Sequence, residues 1–409
     1  MHALLSMAAR NVQRNRRRTL ITLAALVIGV AAVGTIRGVL NGLQASIISG
    51  TVEGSLGALQ VHRAGYLANV MSTPLSMDFA LDEALLQKVR AVPGVKAVAP
   101  RIQFAGTMTL AATDQDDAPE ALFFAATAVA PAEESLVCPK RQELFTAGTV
   151  LDDTHVVLGD ALAHAFQAKR GAEAVLLAPD RDGSLNGELA VVGGELGAIM
   201  PGEMKVALVS LPLAQRLLRM EGRATELAVA VDDLARVEEV AQALRAALGP
   251  DFEVHTWAQL APERRGIMDI QNAISVIVSA VFLLLMLLGV ANTMLMSVLE
   301  RTREVGTMMA VGLTREAVLR LILLEALLLG ALGAAAGLAL TLVLTWGPLA
   351  RGLRFKPPEA TMSIDVFPYL TAPFTLGVAL IAVLGAVLFA LYPAWRASRL
   401  RPVEALAGR

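Results

Sequence analysis

The chain has 409 residues, of which 55% are hydrophobic, 4% aromatic and 18% charged. That profile is too apolar for an ordinary soluble enzyme of this length and points to membrane spans. The formal net charge of -2 selects no partner class and gives no sign of nucleic-acid binding, while the single cysteine, Cys138, excludes an intrachain disulfide and reads as a small structural residue.

In chain order, residues 1–19 form a basic segment carrying Arg10, Arg14, Arg16, Arg17 and Arg18. Residues 20–43 make the first predicted span and its outward continuation. Its apolar run is longer than a signal-peptide core, and Leu40, Leu43 and Ile47 keep helical spacing beyond Arg37, which predicts an uncleaved anchor. Residues 44–271 are enough for a core of their own. There a strand at 57–63, a helix at 82–92 stopped by Pro93-Gly94 and a strand at 95–104 are followed later by a strand at 226–231, a helix at 234–248 and a strand at 252–257. The two strand–helix–strand units form a weak repeat, and the turn-rich stretch at 113–202 between them reads as a β-rich insert.

Spans are predicted again at 272–299, 318–346 and 372–393, separated by a short helix at 300–317 and a loop at 347–371, with a tail at 394–409. Each is long enough for the roughly 20 helical residues that cross a bilayer. The expected fold class is an α-helical membrane protein with four transmembrane helices and an inserted α+β extracytoplasmic domain. Arginines set the orientation. Arg10 to Arg18, then Arg301, Arg303, Arg315 and Arg320, then Arg396, Arg399, Arg401 and Arg409 all fall on one side, which predicts cytoplasmic termini and a cytoplasmic 300–317 helix.

Catalytic chemistry is not expected. No lysine follows a glycine, so no P-loop is present. His2, His62, His155, His164 and His255 lack metal-site spacing, no GxSxG occurs, and Asp114, Asp116 and Asp117 read as a solvated turn. No metal and no catalytic residue is assigned. Within the spans, the acid Glu325 and the amide Asn292 are singled out as intramembrane polar residues. An acid in lipid is costly, so Glu325 should face the bundle or pair with the inner loop. Gly330, Gly333 and Gly337 put small residues at helical spacing, which favours close packing within one subunit.

Residues 292–312 read NTMLMSVLERTREVGTMMAVG. This block resembles that of the permease superfamily containing the macrolide exporter, the lipoprotein-releasing permeases and the cell-division permease FtsX. The entry to the first span (ARNVQRNRRRTL, 9–20) and the ending YPAWRASRLRPVEAL (392–406) are similar to that family as well. The resemblance implies a short helix that docks on a nucleotide-binding subunit, with Glu300, Arg301, Arg303, Glu304, Gly306, Ala310, Gly312 and Arg315 as coupling residues. Val305, Met308 and Met309 would be its apolar docking face. It also implies a bacterial inner-membrane location, with ATP and magnesium on a separate ABC ATPase and no cofactor on this chain. The other partners it implies are a second permease, identical or homologous, a periplasmic lipoprotein carrier or adaptor, and membrane lipids. Outer-domain phrases such as GALQVHRAGY (57–66) and PGVKAVAP (93–100) lean toward lipoprotein release. Val33, Ile36, Leu40, Leu43, Ile274, Ile277 and Val278 would then offer the cargo an apolar surface. Tripartite efflux of hydrophobic compounds or peptides and FtsX-like signalling are the alternatives.

Overall fold

The computed structural model describes residues 2–14, 16–72, 74–110, 121–197, 206–356 and 363–399. The elements are α1 (His2–Arg14), α2 (Arg16–Thr51), β1 (Leu59–Arg63), β2 (Phe79–Ala80), α3 (Glu83–Arg90), β3 (Val95–Leu110), β4 (Ala121–Val129), α4 (Pro131–Val137), β5 (His155–Gly159), α5 (Asp160–Ala165), β6 (Glu173–Pro179), β7 (Leu185–Leu196), β8 (Val206–Ser210), α6 (Leu211–Leu218), β9 (Arg223–Ala224), β10 (Glu226–Val231), α7 (Val237–Leu248), β11 (Phe252–Thr256), α8 (Trp257–Leu260), α9 (Pro262–Glu300), α10 (Thr302–Ala310), α11 (Arg315–Trp346), β12 (Leu353–Phe355), β13 (Ile364–Val366) and α12 (Ala372–Ser398). They form two compact units. One comprises Met1–Gln44, Ile267–Leu353 and Val366–Arg409, the other Ala45–Gly266 and Arg354–Asp365.

The first unit is helical. Among the described residues four helices are long and apolar enough to cross a membrane: α2, α9, α11 and α12. Small side chains face inward and large ones outward. On α12, Val378, Ala382, Ala386 and Ala390 are buried at four-residue spacing, while Leu376, Leu380, Leu384 and Leu388 are exposed. That is the pattern expected where lipid takes the place of water and close packing holds the helices. The buried alanines meet Leu26, Val30 and Val33 of α2, Met286 and Val290 of α9, and Ala326 and Leu329 of α11 in one cluster. Gly333 and Gly337 let α11 close onto α2. A Cβ at either position would lie 2.5 Å from Leu26 Cβ or 2.6 Å from Val30 Cβ.

The second unit is built on a sheet that both strand–helix–strand units share. Its strand order is β11-β1-β10-β3, every neighbour antiparallel. With α3 after β1 and α7 after β10, this is a split β-α-β-β-α-β arrangement. The two predicted repeats therefore interleave, and β10 of the second lies between β1 and β3 of the first. The insert continues the same sheet. β3 runs on past Arg101 to pair with β4 and then with β6, and β4-β8-β5-β7-β6 completes the circuit as a six-stranded barrel. The expected limits of the insert, 113 and 202, lie outside the described residues, and β8 lies beyond them. Phe104, Met108, Phe124, Leu158, Leu176, Val192 and Val209 belong to a single core that also holds Leu59, Val229 and Leu244. Gly106 sits where β3 changes partner. A Cβ there would meet Leu177 O at 2.2 Å, so only glycine allows the approach.

A charged cluster lies where sheet and barrel share β3. Arg101 is 1% exposed and opposite Glu226 in the β3–β10 register. Its guanidinium grips Glu134 of α4 through two bonds, at 2.9 and 2.7 Å, and Glu226 through a third at 3.0 Å. Arg141 lies 2.9 Å from Glu134 as well. Both arginines also catch carbonyls of the wide turn Val52–Leu56 that follows α2. Arg101 donates to Leu56 O at 3.3 Å, and Arg141 to Gly54 O at 3.1 Å and Ser55 O at 2.5 Å. Those carbonyls lack helical partners, and cationic donors suit that end of a helix. Cys138 is buried beside Arg101, and burial pushes its thiol up, which fits a structural role.

Burial alone would raise the Glu134 pKa, but Arg101 and Arg141 outweigh it and hold the carboxyl below its ordinary value. Its contribution to stability is therefore complete above the unfolded value of about 4.3 and is lost as pH falls through the lower folded value. Removing Arg101 leaves two buried carboxylates facing each other. Arg101→Met should cost about 3–5 kcal/mol and lower the melting temperature of the purified chain markedly at neutral pH. An unchanged melting temperature would show that the cluster does not hold this unit together.

Candidate functional site

One end of the helical unit carries a cluster of polar side chains, around the loop at 300–315. α9 stops at Glu300 because Arg301 leaves helical geometry (φ -106°, ψ 18°), and α10 starts one residue later. Gly312 ends the loop helix at φ +108°, a region that glycine tolerates and other residues avoid. Thr314 then caps α11, its hydroxyl oxygen accepting from Ala317 N at 3.3 Å.

Glu325 is the centre of the arrangement. It lies on α11 at 6% exposure. Asn11 of α1 donates to its Oε1 at 2.5 Å, and Arg301 reaches the same oxygen at 3.3 Å. Arg301 also donates to Glu304 of α10 at 3.0 Å, and Arg14 of α1 pairs with the other oxygen of Glu304. The contacts thus run from α1 to α11, to Arg301, to α10 and back to α1, closing a ring. Beside it Arg18 of α2 pairs with Glu300 and donates to Ser297 Oγ of α9 at 2.7 Å. The two cavities next to Glu325 each hold about 20 Å³, room for about one water.

Under the ring, Val298, Val305, Val318, Ile322, Ala394 and Ala397 form an apolar cluster with Met308 and Met309 packed against it. Of the expected docking face, Val305 is buried by the chain's own helices, while Met308 and Met309 are half-buried against that cluster. Gly306 is likewise buried, and Arg301 and Glu304 spend their charges inside the chain. The outward face of the loop is instead Arg303, Thr307, Ala310, Val311, Gly312 and Arg315, with Val311 85% exposed.

Other expected site residues divide in the same way. Val33 is 1% exposed and packs in the helical core, because it shares a face of α2 with Leu26 and Val30. It cannot line a cargo surface. Ile36, Leu40, Leu43 and Val278 are half-buried, while Ile274 and Ile277 are exposed. Asn292 is exposed on α9 and does not reach the ring. Sequence reasoning missed Asn11, Arg14, Arg18 and Ser297. An amide on an otherwise apolar helix face was the available signal for Asn11.

Residues 276–402 match the family model FtsX-like permease C-terminal, and residues 19–247, more than half the chain, match MacB-like periplasmic core domain. This chain belongs to the MacB-like and FtsX-like family of ABC-transporter permeases. It is 27% identical, over 98% of its own length, to the macrolide export ATP-binding/permease protein MacB of Hyphomonas neptunium, covering 60% of that protein. Over 49% of its length it is 25% identical to the lipoprotein-releasing system transmembrane protein LolC of Xylella fastidiosa, covering 50% of that protein. The chain thus spans three fifths or less of the length of these relatives. Among solved structures, the periplasmic region of MacB from Actinobacillus actinomycetemcomitans matches 50% of the chain, and 91% of that structure is covered, at 10% identity and a TM-score of 0.35. As a permease of this family, the chain carries a ring of polar contacts in its helical unit and no P-loop in its sequence.

Burial raises the Glu304 pKa, but the bonds from Arg301 and Arg14 outweigh it and leave the carboxyl below its ordinary value, charged at neutral pH. The two links of the ring differ in what they should cost. Glu325→Ala leaves Arg301 paired only with Glu304 and the Asn11 amide without its acceptor, and should lose about 1–3 kcal/mol. Arg14 and Glu304 are about half exposed, at 56% and 44%, so removing Arg14 should cost about 0.5 kcal/mol. Melting of the purified variants checks the order, and a larger loss at Arg14 than at Glu325 would contradict it.

Proposed function

We propose that this permease is a mechanical transmitter, taking up the closure of an ABC ATPase at the outward face of α10 and passing it along α2 and α9 to the outer domain. ATP and magnesium belong to the ATPase, and two permeases act as a pair. The observation that carries this reading is the ring itself. It fixes α10 to α1 and α11 while leaving Arg303, Thr307, Ala310 and Val311 turned outward on one side of the helix. A push on that face is then delivered to the packed helices instead of being absorbed by a loose loop. The water-sized cavities beside Glu325 agree with a transporter that works without an aqueous channel at this point. The arginine distribution supports a bacterial inner-membrane placement with the ring on the cytoplasmic side.

For the cargo, we favour extraction of a lipidated protein, handed to a periplasmic carrier. Each buried acyl CH₂ retains such a cargo by about 0.8 kcal/mol, so release needs an outside energy source. Ile274 and Ile277 are the two expected cargo-surface residues that stand open. The near-full-length likeness to a macrolide exporter supports a second reading, export of a hydrophobic compound through an adaptor.

Docking is tested with the ATPase partner. Arg303→Glu with Val311→Asp should abolish co-purification and ATPase stimulation with little change in melting, since surface changes cost within about 0.5 kcal/mol. A variant that binds and stimulates like wild type would leave α10 a plain connector. The cargo is read from a deletion strain, in which lipidated proteins should accumulate in the inner membrane. Normal lipoprotein sorting together with lost resistance to a hydrophobic compound would replace the first reading by the second.

A further inference from the structure

We propose that the corner between α1 and α2 is a binding site for the headgroup of an anionic phospholipid. The inference needs only the membrane-embedded helical unit, not the transport reading. Five arginines lie within residues 10–18. Arg14 and Arg18 are neutralised by Glu304 and Glu300. Arg10, Arg16 and Arg17 are exposed, and among the described residues no carboxylate pairs with them. Three positive charges are thus left over beside a membrane helix.

A groove of about 260 Å³ lies at the same corner, lined by Val12, Gln13, Arg16, Thr19 and Leu20. The Thr19 hydroxyl donates to Val12 O at 2.7 Å, which ties α2 back onto α1 and shapes the groove. The Gln13 amide and the Arg16 guanidinium are exposed at its rim. Its other wall is apolar. Leu20 is 65% exposed and Ile21 63%, where the spanning part of α2 begins. The site therefore offers a guanidinium fork next to bare hydrocarbon. A phosphodiester matches the fork through paired hydrogen bonds, and an acyl chain covers Leu20. A soluble anion or an acidic peptide would meet the first requirement and leave the second unmet. A diacyl lipid with a net negative headgroup meets both.

The test uses the full-length protein in nanodiscs of phosphatidylglycerol or phosphatidylcholine, with lipid retention read by native mass spectrometry and stability by melting. Each arginine near an anionic surface is worth about five-fold in binding. Wild type should retain phosphatidylglycerol over phosphatidylcholine and melt higher in it. Arg16→Gln with Arg17→Gln should fold normally, because neither has an ion-pair partner among the described residues, and should reduce the preference about 25-fold. Leu20→Ala should weaken retention of the diacyl lipid while leaving binding of glycerol phosphate, the bare headgroup, unchanged. Equal retention of the two lipids by wild type would overturn the proposal. So would a double variant that keeps the preference, or displacement of the lipid by inorganic phosphate, which would mark a plain anion site.

Discussion

A carboxylate placed in an apolar helix must find donors, and at Glu325 that requirement organises one whole end of the helical unit. Its partners come from far along the chain, Asn11 before the first span and Arg301 after the second. Satisfying it fixes where α1 lies and how α10 leaves α9. Arg301 then serves two acids, because its guanidinium has donors enough for both Glu325 and Glu304. Once the ring is closed, one side of α10 is packed against the chain and the other is exposed.

The outer unit solves a related problem with the signs exchanged. Arg101 is as buried as any residue in its core and is held by two glutamates. With Arg141 it also satisfies carbonyls left open after α2 winds into the turn at Val52–Leu56. Both ends of the long helix are thus flanked by guanidinium chemistry. Arg18 and Arg14 work near its start, and Arg101 and Arg141 just past its last regular turn.

Packing between the spanning helices relies on size. Alanines at four-residue spacing on α12 and Gly333 and Gly337 on α11 bring backbones together, while leucines point outward. The same logic explains why Val33 is unavailable to cargo. It lies on the face of α2 that α11 covers, and no apolar residue on that face can stay open.

Sequence alone determined the number of apolar helices long enough to span, the α+β character of the domain after the first and the family to which the chain belongs. Run length, arginine placement and turn chemistry are local properties, and they can be read one window at a time. The interleaving of the two strand–helix–strand units, the barrel closed through β3 and the burial of Arg101 were decided only in three dimensions, since strand pairing joins residues more than a hundred positions apart. The loop helix shows the same limit. The family resemblance marked the helix at 300–317 as important, yet it could not say which face its own chain would cover. That depended on where Val318, Ile322, Ala394 and Ala397 arrive from two other helices, and tertiary packing alone brings them there.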